Sequence, residues 1–118
     1  MASSVAARNR AVDGAAGTVT HVSLHSADPG TTGASELSAG TAGYARVAKA
    51  YGSSSSGSAD IVSPAVFDVS GGDTVAYWGA WDGTTFLFGE ALNHAAQEYA
   101  ADGTYTLNSA PYAGTNPA

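Results

Sequence analysis

Asp82-Gly83 sits between two runs of alternating character, and no other feature constrains the fold as strongly. A two-residue turn of this kind needs φ > 0, which Gly supplies, and it twists the chain the way an antiparallel hairpin requires. Upstream, residues 74–81 alternate Val75, Tyr77 and Trp81 with Thr74, Ala76 and Trp78. Downstream, residues 85–92 place Phe86, Phe88 and Leu92 on one face at period two. The two runs predict a hairpin that anchors a β-domain.

Further strands follow from the same reading. Residues 18–26 alternate Thr20, Val22 and Leu24 with His21, Ser23 and His25. Residues 44–51 predict a second strand, and residues 61–69 a strand interrupted by Pro64, hence an edge or a bulge. Ser70-Gly71-Gly72-Asp73 and Asp102-Gly103 are turns, and residues 104–108 are a last strand. Residues 31–43 and 52–59 read as loops, and 93–101 as either a helical turn or an extended connection. Ahead of these strands, residues 3–17 predict a short helix, capped by Ser3 or Ser4 and ended by Gly14 and Gly17. The expectation is a mainly β protein, an antiparallel β-sandwich or small barrel of six to seven short strands with an N-terminal helix or arm. Its organisation is an arm at 1–17, a β-domain at 18–109 and a tail at 110–118.

Composition sets what this domain can bury. Ala, Gly, Ser and Thr make up 65 of 118 residues, whereas Val, Leu, Ile and Phe number 18. Two Trp and six Tyr argue for a folded domain over a disordered one. Its core is thin, and a thin core in a short chain leaves little stability, which subunit contacts can supplement. Alternatively, the Ala and Gly content reflects the coding bias of the source. No apolar run approaches the ~20 residues of a helical membrane span. A net charge of −6 argues against nucleic acid as a partner, and the lack of Cys excludes a disulfide framework. Residues 1–10 hold no apolar signal-peptide core, which predicts synthesis in the cytoplasm.

Candidate chemistry is sparse. His21 and His25 would chelate a metal on a helix, but on a strand they stand about 13 Å apart, at ~3.3 Å per residue. They then read as imidazoles facing solvent or an interface. Asp28, Asp73, Asp82 and Asp102 each sit at a turn, which explains them without calcium. No Gly-x-Ser-x-Gly elbow occurs in a strand–turn–helix context. Tyr77, Trp78 and Trp81 could form a sugar-stacking platform, although Trp78 and Trp81 fall on opposite strand faces, so at least one belongs to the core. No catalytic residue, metal or cofactor is expected.

Residues 20–37, Thr-His-Val-Ser-Leu-His-Ser-Ala-Asp-Pro-Gly-Thr-Thr-Gly-Ala-Ser-Glu-Leu, are followed by Gly43-Tyr44-Ala45-Arg46. Together they resemble the opening of a family of small tailed-bacteriophage proteins, common in phages of actinobacteria. Its pattern reads Leu-His-x-Ala-Asp-Pro-Gly-x-Thr-Gly, an acidic residue, then Gly and Tyr-Ala-Arg. Phe67-Asp68-Val69, the run from Val75 to Asp82, the Phe/Gly strand at 86–89 and Arg8-Asn9-Arg10-Ala11 are similar too, so the likeness covers most of residues 5–108. Members are commonly described as tail-fibre or minor structural proteins, and the family has no accepted catalytic residues. The resemblance implies a non-enzymatic virion component made in the host cytoplasm. The favoured place is the capsid exterior, as a decoration or cement protein bound to the major capsid protein, because the chain is compact and has no repetitive shaft. The alternative is a tail-fibre or tail-tip component involved in host recognition or glycan binding. Subunits would form a homo-oligomer, with a trimer suited to a quasi-threefold site on a shell. Contacts with the partner are expected from Val5, Arg8, Arg10 and Val12 in the arm. A second set is expected from Asp28, Pro29, Glu36, Leu37, Tyr44 and Arg46 in or beside the loop at 28–44.

Overall fold

A computed structural model of the chain describes residues 16–53 and 58–113. The predicted helix lies outside them except for its last two positions, Ala16 and Gly17. The fold is mainly β and wholly antiparallel, as the alternating pattern requires. Its elements are β1 (His21–His25), β2 (Val47–Ala48), β3 (Ser58–Ala59), β4 (Ala65–Val69), β5 (Thr74–Val75), β6 (Tyr77–Asp82), β7 (Thr85–Ala91), β8 (Gln97–Glu98), β9 (Gly103–Leu107) and β10 (Tyr112–Ala113). One layer is a four-stranded sheet in the order β2-β1-β6-β7. Three two-stranded pairs, β4–β9, β3–β10 and β5–β8, complete the fold.

The predicted hairpin forms, but Asp82 ends β6 opposite Thr85, so the two turn residues are Gly83, at φ 57°, and Thr84. Its register slips once, because Trp81 pairs with Phe86 whereas Ala80 pairs with Phe88. Leu87 is the extra residue of a bulge. The bulge corrects the expectation that Phe86 and Phe88 share a face. Phe86 turns with Trp81 (ring centroids 5.1 Å apart), and Phe88 turns with Trp78 (5.9 Å).

The run at 74–81 is also split. Ala76 separates β5 from β6, and the two halves serve different sheets. The Ala76 amide donates to His25 O and its carbonyl accepts from Leu92, so the corner stays hydrogen-bonded. The ambiguous segment 93–101 proves extended, with β8 pairing to β5. The strand expected at 44–51 shortens to β2 and a single bridge between Tyr51 and Ile61, because Tyr44 and Arg46 are drawn into the neighbouring loop. Within the segments expected as a loop and a tail, β3 and β10 pair with one another, and Tyr112 stacks on Phe88 at 4.1 Å.

Both faces of the four-stranded sheet are covered, which accounts for a β1 with four consecutive buried residues. By register, Val22, Leu24, Trp78 and Ala80 share one face, and all are buried in the cluster that contains Phe67, Val69, Val75 and Leu107. Ser23, His25, Gly79 and Trp81 share the other, and on that side the cover is a loop.

Candidate functional site

The loop is the segment that carries the longest motif, and its backbone closes on itself. At the base, the Ser26 amide donates to Ser35 O (3.0 Å), the Leu37 amide donates to Leu24 O (3.1 Å), and His25 bridges Glu36. Inside, the Gly33 and Ala34 amides both donate to Pro29 O at 3.0 Å, and Asp28 Oδ1 accepts from the Gly30 amide at 2.8 Å. Gly33 is required twice over. Its φ is 78°, and a Cβ there would stand 2.5 Å from the Trp81 ring. Pro29 is fully buried, and a Cβ on Gly89 would meet its ring at 2.9 Å.

Beneath the loop runs a chain of hydrogen bonds in which every polar group has a partner. His25 Nδ1 contacts Ala34 O (2.8 Å), and because a carbonyl only accepts, Nδ1 carries the proton. Nε2 then accepts from the Ser23 hydroxyl at 2.7 Å, and Ser23 Oγ in turn accepts from Trp81 Nε1–H at 2.8 Å. Burial holds the His25 imidazole below its ordinary pKa, opposed by the hydrogen bond to Ala34 and by the Glu36 charge. A serine hydroxyl bonded to a histidine has the geometry of a nucleophile and its base. Here both side chains are fully buried, so the pair fastens the loop and Trp81 to the sheet.

On the loop's other flank, Glu36 is the hub. Arg46 Nε and Nη2 grip its carboxylate at 2.9–3.2 Å, and the Tyr44 hydroxyl donates to Oε2 at 2.8 Å. Tyr44 also accepts the Leu24 amide at 3.0 Å, and burial pushes its phenol above the ordinary value. The Arg46 guanidinium lies over the Trp81 ring, 3.4 Å from its centroid.

The structure brings Glu36, Tyr44 and Arg46 into one cluster and seats Pro29 and Leu37 beside the sheet. This corrects the expectation that the whole set would face a partner. Pro29 is buried because the loop folds onto its own sheet, Leu37 and Tyr44 are buried in the main core, and Glu36 and Arg46 neutralise one another. Only Asp28 of the six is exposed, and the exposed crest consists of Thr31, Thr32, Ala34 and Ser35. Val5, Arg8, Arg10 and Val12 lie outside the described residues. His25 likewise is buried and does not face solvent, whereas His21 stays partly exposed against Thr20. Trp78 and Trp81 are both buried, so the stacking platform presents no free indole face. Among the described residues, no group of three or more His, Asp or Glu could hold a metal ion.

Of the turn aspartates, Asp28 and Asp102 work as fasteners, whereas Asp73 Oδ2 is buried without a hydrogen-bond partner. Asp102 accepts from the Gly71 amide (2.9 Å) and the Thr41 hydroxyl (2.7 Å), which hold its carboxyl below the usual value. Sequence reasoning missed Asp60, which accepts from the Ile61 and Ala110 amides and from the Ser109 hydroxyl. No local pattern announces a bond spanning fifty residues. The Ser23–His25 contact did have a signal, since i and i+2 share a strand face. Compared with protein-family models, curated proteins and solved structures, the chain finds no match.

Proposed function

We propose that this chain is a non-enzymatic structural protein of a bacteriophage virion, a decoration or cement protein that binds the outside of the shell. One observation carries the reading, the gapless motif at 20–37 with its continuation at 43–46. The fold supports it with a physical role for the motif. Its Pro, Gly, Glu, Tyr and Arg residues close a rigid loop on a sheet, and a rigid element loses little conformational entropy on docking. Contacts with the shell then fall to the small polar crest at Thr31, Thr32 and Ser35, to Asp28 and to the N-terminal arm with Arg8 and Arg10. Shell subunits would be clamped by contacts that exist only in the folded, assembled state, so the particle gains resistance to heat and internal pressure. A homotrimer matches a quasi-threefold junction. The second reading, a tail-fibre or tail-tip component, rests on how members of the same family are described.

Quantitative mass spectrometry of purified particles separates the two. A copy number equal to that of the major shell protein, or a simple fraction of it, is the expected result. A handful of copies moves the chain to the tail, and its absence from particles overturns both readings.

A further inference from the structure

Two pockets of about 190 and 160 Å³ meet where the chain leaves β7 beside the residues that follow β9. Both are lined by Leu92, Asn93 and Ser109, so they are two lobes of one groove. Its accessible apolar surface comes from part-exposed Leu92, shared by both lobes, with Ala91 and Pro111 beside it, whereas Leu107 and Trp78 lie beneath, buried. Its rim is polar. Glu90, Asn93 and Asn108 are exposed there, and among the described residues none of their side chains has a hydrogen-bond partner. This is the reverse of the Glu36–Arg46 cluster, where the polar groups are committed to one another. Beside the rim, His94 Nδ1 donates to Ala95 O, so Nε2 accepts the Tyr105 hydroxyl at 2.7 Å and leaves that oxygen free to accept.

We propose that this groove binds a neutral disaccharide, one unit in each lobe, with Glu90, Asn93 and Asn108 bonding its hydroxyls. A sugar hydroxyl both donates and accepts. An amide answers both roles, and a carboxylate accepts on two oxygens. Polar groups free of partners around a concave surface can fix the orientation of a small molecule, and the two lobes together reach the lower end of the usual ~300–1,000 Å³. Leu92 and Pro111 offer aliphatic surface to the C–H face of a pyranose ring. No Lys or Arg lines either lobe, and Glu90 would repel an anion, so phosphorylated or acidic sugars are disfavoured. The site does not depend on where in a virion, or whether in one, the chain resides.

The test is a ¹H–¹⁵N correlation titration of the full chain with cellobiose, lactose and N,N′-diacetylchitobiose, with glucose 6-phosphate as the anionic control. At about 10 mM, at least one neutral disaccharide should shift the amides at 90–94 and 107–109, as expected for a Kd of ~1 mM. Asn93→Ala and Glu90→Ala, both at exposed positions, should leave the remaining spectrum unchanged and weaken binding by about tenfold, ~1.4 kcal/mol. The proposal is overturned by silence with all three disaccharides, by shifts confined to other residues, by equal binding in both variants, or by equal binding of glucose 6-phosphate. None of these outcomes bears on particle copy number, so this inference and the virion reading fail separately.

Discussion

At the residue scale, His25 makes stability depend on pH in a definite direction. Burial lowers its native pKa, so in the window just below ~6.5 the unfolded chain binds a proton that the native state refuses. Stability is greatest above that window, falls as pH drops through it, and levels off below the native pKa. Protonation would make both ring nitrogens donors, and the Ser23 proton would lose its acceptor. Glu36 and Arg46 act on the same ring with opposite signs, so the loss belongs chiefly to desolvation. Thermal melts at pH 7.5 and 5.5 should show a fall in Tm that is smaller in His25→Gln, and an equal fall in both proteins would refute this account. Gly79 is the companion case. A Cβ there would stand 2.7 Å from His25 Nε2 and 2.8 Å from Ser23 Oγ. Gly79→Ala should destabilise by ~1–3 kcal/mol, as overpacking does, read as a lower urea midpoint with an unchanged m-value.

At the scale of elements, the loop at 26–37 and the strand end at 44–46 behave as one unit through Glu36. Its ion pair with Arg46 is partly exposed, at 30% for Arg46 and 19% for Glu36, so charge alone contributes little. The bidentate grip and the Trp81 face add to it. A double-mutant cycle of Glu36→Gln and Arg46→Ala should return a coupling of about 1 kcal/mol, and additivity of the two changes would show that the pair is decorative. Tyr44→Phe removes the hydroxyl that accepts the Leu24 amide and should cost ~1–3 kcal/mol. Amide exchange at Leu24, faster in that variant, is the direct readout.

At the scale of the whole molecule, charge is divided unevenly. Residues 1–15 hold two of the four Lys/Arg and one of the ten Asp/Glu, a net +1, which leaves −7 for the rest. If the arm delivers the domain to a shell, a chain lacking residues 1–12 should keep the β-domain's circular dichroism and fail to join particles. Normal incorporation of the truncated chain would remove the arm from the mechanism. The core is thin in large aliphatics but is supplemented by aromatic pairs, such as Tyr44 on Phe67 and Tyr51 against Phe88. Particles lacking this protein should lose infectivity at a lower temperature than complete ones, and identical heat inactivation would count against the decoration reading.

What the sequence determined by itself was local. Alternation and turn chemistry determined the β class, the hairpin at 82–84, a strand within 18–26, the strand at 65–69, a last strand near 104–108, and the opposite orientation of Trp78 and Trp81. These depend on neighbours one or two residues away, where sterics and the pleat suffice. Tertiary structure decided what depends on partners distant in the chain. It placed the bulge at Leu87 that separates Phe86 from Phe88, split the run at 74–81 between two sheets at Ala76, and paired β3 with β10. It also turned Pro29 against the second face of the sheet and drew Leu37 and Tyr44 into the main core, where Tyr44 stacks on Phe67. A motif read in sequence as a surface for a partner is therefore, in the fold, chiefly the lid of its own sheet. Burial of backbone and side-chain polar groups demands partners wherever they lie, and only the folded chain determines which ones meet.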